Sequence, residues 1–303
     1  MSGNIMRSQL FKNIVEPILN TQFNGVYNQR ADEYKQVFKE EDGIKRAYHE
    51  DVVLYGFGAA PLLPDGQPVT YDEGGQLYVK RYPYDVYGLA FALTKTLVED
   101  GDHVRVGSTY SKHLAQSMME TLETVTCNHL NRAFNASYTG GDGVALVSAS
   151  HPVIGGVQSN VMTSAALSQT SLEQGLITVR RAKDSRGKYI RLTPKRLIVD
   201  PTNMLNAEVI LNSVLRTGSA NNDLNPVKSM GSIQEAVVIS RLTSSMAWFL
   251  QTDTMDGLKT LWRRKIEGGM EGDFETDSMR YKKTMRFGSG WTDWRDLYGN
   301  AGV

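Results

Sequence analysis

Only one cysteine stands among the 303 residues, so no intrachain disulfide can form and the chain must hold together by packing and hydrogen bonding. Cys127 falls in a stretch of helical periodicity and reads as a small packing residue in a protein made in a reducing compartment. Long apolar runs are missing too. The best, Val86 to Val98, is broken by Thr94 and Lys95 and falls short of the roughly 20 residues that span a bilayer as a helix, so no membrane partner is expected. The start, Met1-Ser2-Gly3-Asn4-Ile5, is polar and lacks the apolar core of an export signal, so synthesis in the cytoplasm is expected. An excess of one charge is absent, with 33 Lys plus Arg against 33 Asp plus Glu. This balance argues against an electrostatic clamp for nucleic acid and leaves room only for weak, non-specific DNA contact.

Catalytic signatures are equally scarce. No G-x-x-x-x-G-K-[ST] loop occurs, and Gly56-Phe57-Gly58-Ala59-Ala60 lacks the third glycine and the strand-to-helix setting of a dinucleotide site. The five histidines, at 49, 103, 113, 129 and 151, show no metal-ligand spacing, and His49-Glu50-Asp51 reads as a solvated charged turn. His151 follows Ser148 and Ser150 without the elbow that frames a nucleophile, and His151-Pro152 reads as a strand exit. Accordingly no catalytic residue, cofactor or metal is predicted, and the chain is not expected to be an enzyme.

What is present is the composition of an ordinary globular protein, 41% hydrophobic and 22% charged, long enough for one large core or two modest ones. Residues 1 to about 47 carry helix-compatible fragments around Leu10, Phe11, Ile14, Val15 and Leu19, interrupted by Pro17 and Gly25. They read as an arm too short to own a core, lying across the body or a neighbouring copy. From Asp51 to Pro83, β-formers (Val52, Leu54, Leu77, Val79, Tyr82) flank Pro61, Pro64-Asp65-Gly66, Pro68 and Gly74-Gly75. This predicts an extended hairpin with a loop long enough to reach a partner. Residues 86 to 99 read as a short helix stopped near Gly101. Next comes the clearest element, a spine helix from about Thr109 to Phe134. It is marked by Leu114, Met118, Leu122 and Val125, with Thr109 or Ser111 as cap and Gly140-Gly141 beyond its end.

Beyond it lies α+β material with its own small core. Val144–Val147 reads as a strand, Leu172 to Ala182 as a helix and Lys188 to Val199 as a strand whose Pro194 marks an edge or bulge. A helix over Asn206 to Leu215, a polar loop from Gly218 to Asn225 and a strand over Glu235 to Ser240 follow. Strands are then predicted over Ala247 to Gln251, Leu258 to Ile266 and Met279 to Phe287, before a C-terminus whose Trp291 and Trp294 demand burial. The basic run Arg180, Arg181, Lys183, Arg186, Lys188, Arg191, Lys195 and Arg196 is opposed only by Asp184 and reads as a solvated or intersubunit salt-bridge face.

Taken in order, arm, hairpin, spine helix, inserted lobe and Trp-rich return resemble the major capsid proteins of tailed phages, whose fold is named for the phage Hong Kong 97. More narrowly, they resemble the Mu-like major head subunit group. The resemblance spans about residues 85 to 299. It rests on Asp142–Leu146 leading to Ser150-His151-Pro152, on Leu192–Pro201, and on Trp248-Phe249-Leu250 and Leu258–Trp262. Arg286-Phe287-Gly288 before Trp291-Thr292-Asp293-Trp294-Arg295 completes it.

The resemblance implies an α+β fold divided into an arm (1–47), an extended hairpin (48–84), a peripheral domain (85–150 and 246–303) and an inserted axial domain (151–245). It implies hexamers and pentamers of the chain around double-stranded DNA, with a portal at one vertex. Within them, intersubunit contacts are expected from Tyr55, Phe57, Leu62, Leu63, Tyr71, Tyr78 and Lys80 of the hairpin, and from Phe11, Phe23 and Tyr27 of the arm. Some relatives weld the hairpin to a neighbour through a lysine, but residues 51–79 contain none and Lys80 is the only one nearby. A non-covalent shell reinforced by a cement or decoration protein is therefore expected, and, since the sequence shows no long N-terminal extension of the kind that scaffolds assembly in some relatives, a separate scaffolding protein is expected as a partner. The rival readings are an encapsulin-type cargo shell, told apart by what fills it, and a soluble α+β enzyme, which would need a pocket of convergent titratable groups.

Overall fold

A computed structural model describes residues 4–29, 32–94, 96–97, 103–216, 223–273 and 278–302. The arm is one helix, α1 (Asn4–Gln29), with Pro17 inside it, followed by the short strand β1 (Lys39–Glu41). An interior proline removes a hydrogen bond and normally breaks a helix. Here burial of Val15, Leu19 and Phe23 against α2 (His103–Asn131) offsets that loss. The segment therefore lies across the body and helps to build the chain's main core, the first of the two placements expected of it. The spine helix begins earlier than predicted, so Ser111 is no cap. Its buried hydroxyl donates to the carbonyl of Leu19 at 2.8 Å and ties α1 to α2.

Strands β2 (Tyr48–Tyr55) and β3 (Gly75–Pro83) pair antiparallel as the predicted hairpin. Residues 86–93, predicted helical, are instead part of strand β4 (Asp85–Leu93). A short apolar run carries no decisive period; pairing with β12 (Ser278–Trp291) decides it, stacking Tyr87 on Phe287 and Phe91 near Tyr281. The 14-residue β12 is the axis of the first sheet. It also pairs with β10 (Leu258–Glu267) and β11 (Met270–Asp273), while β1 lies parallel to β10.

The second sheet runs β13 (Leu297–Asn300), β9 (Trp248–Thr252), β7 (Pro194–Val199), β8 (Glu235–Val238). It is the wall between two cores. Leu197, Val199, Trp248, Leu250 and Tyr298 face a second core under α3 (Gln169–Arg180) and α4 (Met204–Asn212), whereas Ile198, Val237, Phe249 and Leu297 face the first. Burial on both faces explains why these strands read as continuous apolar runs. Pro194 opens β7, next to a register shift against β9. It thus marks a bulge in an inner strand, and the strand predicted from Lys188 is shorter. Residues 144–147 are not a strand; Ala145 makes one isolated bridge to Thr139. The short helix α5 (Pro226–Met230) precedes β8, and β5 (His151–Val153) pairs with β6 (Gly156–Gln158). His151 therefore begins a strand. Most of the polar loop from Gly218, and the stop near Gly101, lie outside the described residues.

Candidate assembly surface

Hairpin β2–β3 is bolted to the body at its base. Asp51 accepts from the Lys259 ammonium at 2.5 Å and the Thr292 hydroxyl at 2.6 Å, and it lies 2.8 Å from His49 Nε2. Burial alone would raise the Asp51 carboxyl, but the bonds from Lys259 and Thr292 hold it below the usual carboxylate range. His49 and Asp51 share one face of a strand, which corrects the reading of this segment as a turn. Nearby, the Tyr78 hydroxyl donates to the Thr292 carbonyl at 3.0 Å, and the Tyr82 hydroxyl meets the Thr292 hydroxyl at 2.5 Å.

The far end is the opposite. Between β2 and β3, residues 56–74 contain one turn, closed by Gln67 N–H on the Pro64 carbonyl with Gly66 at φ +75°. In this loop Leu62 is 92% and Tyr71 96% exposed, with Phe57, Leu63 and Val69 also exposed. Isolated exposed apolar residues are ordinary, but this many on one loop mark an interaction site.

The ten residues predicted to contact neighbours thus divide. Phe57, Leu62, Leu63 and Tyr71 are free on the loop. Tyr55 lies under the Arg186 guanidinium, and Lys80 sits over the Trp291 ring and donates to the Thr139 carbonyl at 3.3 Å. Burial pushes the Lys80 ammonium pKa down, against the pull of Asp142. Tyr78, like these two, is turned toward its own chain. Phe23 is 1% exposed and Tyr27 stacks on it, so both belong to the chain's own core, because α1 docks on the spine helix. The Phe11 side chain lies outside what the structure describes.

Sequence reading missed a second apolar surface, where Leu205 and Val209 point outward from α4 beside Val214, Leu215 and Leu224. Its signal was legible: a short helix apolar on both faces, with Ala207 and Ile210 filling the inner one. Three cations of the basic run are ion-paired within the chain, Arg186 with Asp72, Lys188 with Asp184 and Arg196 with Glu235. A cavity of about 430 Å³ lies between α2, β4 and β12. It is lined by Asp85, Tyr87, His129, Arg132, Tyr138 and Trp291 among others. Burial pushes His129 down to about 4, and its Nε2 is 2.8 Å from the Ser289 hydroxyl. Among the described residues no group of three or more His, Cys, Asp or Glu is placed to hold a metal, and no helix is long and apolar enough to cross a membrane.

Two cores on either side of a shared sheet, a long helix and a projecting hairpin define a protein with the fold of viral shell proteins. The capsid of the cyanophage P-SCSP1u is similar at 12% identity and a TM-score of 0.58, covering 90% of this chain and 89% of that one. A structure from Mycobacterium phage Adephagia is similar at 10% identity and 0.55, covering 90% and 91%. A virus-like particle from Pyrococcus furiosus is similar at 12% identity and 0.50, covering 94% and 98%. None of the curated proteins matches. The family model described as "Phage capsid protein" matches residues 80–300, and the chain belongs to that family.

Proposed function

We propose that this structural capsid protein is the major head protein of a tailed phage, assembling into hexamers and pentamers around double-stranded DNA. The observation that carries the reading is the loop 56–74, whose apolar side chains are exposed and covered by none of the described residues. Covering such surface with a neighbouring copy contributes about 25 cal/mol per Å², and many such contacts stabilise a shell. Residues 151–245 form the axial lobe, residues 85–150 and 246–303 the periphery, and residues 48–84 the reach between copies. A shell without covalent welding fits a hairpin whose nearest lysine, Lys80, is turned to its own body. Scaffolding, portal and cement or decoration proteins are the proposed partners, and DNA contact is weak because net charge is zero. An encapsulin-type cargo shell is the rival reading, and the phage capsid family match over 80–300 favours the phage head.

Electron microscopy of the chain expressed with its scaffolding protein tests this. Wild type should give closed shells or capsomer rings, and a chain with 56–74 replaced by a short Gly-Ser turn should stay folded but unassembled. A monodisperse monomer under every assembly condition, or normal particles from the loopless chain, would defeat the reading.

A further inference from the structure

The exposed loop is gripped at its neck by its own chain. The gripping element is the turn 184–188, between the end of α3 and β7, and it is held by hydrogen bonds that do not involve the loop. Asp184 Oδ1 accepts the N–H groups of Arg186 and Lys188, each at 2.9 Å, and Gly187 takes the φ of +83° that the turn needs. Arg295 Nε donates to the Lys183 carbonyl at 3.0 Å and Gln158 Nε2 to the Asp184 carbonyl at 2.7 Å, so the turn is anchored to the body.

From this platform two cations reach the loop. Arg186 Nη1 donates to both oxygens of Asp72, at 3.0 and 2.8 Å, and its Nη2 to the Glu73 carbonyl at 2.6 Å. Its guanidinium lies 5.3 Å from the Tyr55 ring centre. Lys188 Nζ donates to the Phe57 carbonyl at 2.5 Å, and Asp72 Oδ2 also accepts the Gly58 N–H at 2.6 Å. Both limbs of the loop are thus held, at 57–58 and at 72–73. Among the described residues no hydrogen bond joins 59–71 to the body.

We propose that turn 184–188 is a latch that holds the neck of the loop against its own chain, and that it must let go before the loop can swing its exposed apolar tip onto a neighbouring copy. The inference rests on the assembly reading above. The chemistry suits a reversible catch. Asp72 is 42% and Arg186 23% exposed, and ion pairs this wet hold weakly and are screened by salt. Burying Leu62 and Tyr71 against another copy can therefore outweigh them. In the absence of a neighbour nothing competes, and the loop stays docked.

Two experiments decide it. In the unassembled chain, Asp72→Asn and Arg186→Gln should each speed amide hydrogen exchange at the neck, at Gly58 and Glu73, by up to about fivefold, the upper end expected for a weak exposed pair, leaving α2 unchanged. Added salt should bring wild type toward the variants. Unaltered exchange in both variants overturns the latch. Separately, Asp72→Cys with Arg186→Cys can be joined by a short, reducible bifunctional thiol reagent. Cys127 stays out of the reaction because it is buried and its thiol is pushed up to about 12. The bridge should form within one chain and block assembly until reductant is added. Bridging only between chains, or bridged chains assembling like unbridged ones, overturns the proposal. Should wild type form no shells at all, the assembly reading falls, and exchange in the dispersed chain still decides whether the latch exists.

Discussion

Asn160 fills every hydrogen-bonding position of its amide. Its nitrogen donates to the carbonyls of Leu146 (2.7 Å), Leu297 (2.8 Å) and Trp294 (3.2 Å). Its oxygen accepts the Ser148 N–H at 2.8 Å and lies 3.0 Å from His151 Nε2. His151 is wholly buried, 2.6 Å from Asp142 through Nδ1 and stacked 4.1 Å from the Trp294 ring. These contacts knot the chain where it enters the second core to where it returns. Asn160→Ala strands several buried carbonyls and should cost about 3 kcal/mol or more, seen as a lower urea midpoint with an unchanged slope. Burial of Trp291 and Trp294 was legible in the sequence, since large aromatics have few other places to go. Asn160 was not, because a polar residue in irregular chain has no period, and its partners lie up to 137 residues away.

Among the elements, α1 has the most to say about reading a sequence. Pro17 and Gly25 are helix-weakening signals, yet the helix runs through both because a row of its residues is buried on α2. Leu19 is fully buried there, close enough that a Cβ on Gly107 would come within 3.2 Å of it. Leu19→Ala should therefore cost about 2–5 kcal/mol, measurable by denaturant unfolding. Strand β4 taught the converse. Its apolar run fits a helix as well as a strand, and the long β12 laid beside it supplies the hydrogen bonds that choose. By contrast α3, β9 and β10 were legible to within three residues, while β12 runs four residues past its predicted end and α2 starts six before its predicted start.

Across the whole molecule, two cores share one sheet, and two buried carboxyls sit at their margins. Burial pushes Glu123 up to about 7 against the pull of Arg241 and of the Tyr34 and Glu33 N–H groups, and it pushes Asp296 up to about 7 against bonds from Leu258 and Gln251. A carboxyl whose folded pKa exceeds its unfolded value of about 4 favours the folded chain while protonated. That contribution is complete below about pH 4 and is lost as pH rises through about 7. Part of the stability should therefore decline between these limits, and Asp296→Asn should flatten its share of the slope, as urea midpoints at pH 4.5 and 7.5 would show. An equal slope in that variant would place the titration elsewhere.

By itself the sequence determined the order of the parts: a long hairpin, a spine helix, inserted α+β material and a Trp-rich return. Each follows from local pattern, turn chemistry or the need to bury large side chains. Only the tertiary structure decided that α1 belongs to the chain's own core, that residues 85–93 are a strand, and that Phe57, Leu62, Leu63 and Tyr71 are the exposed members of the predicted contact set. Those outcomes depend on what lies alongside. Packing partners and strand neighbours far away in the chain compete with local propensity, and no window of sequence contains them.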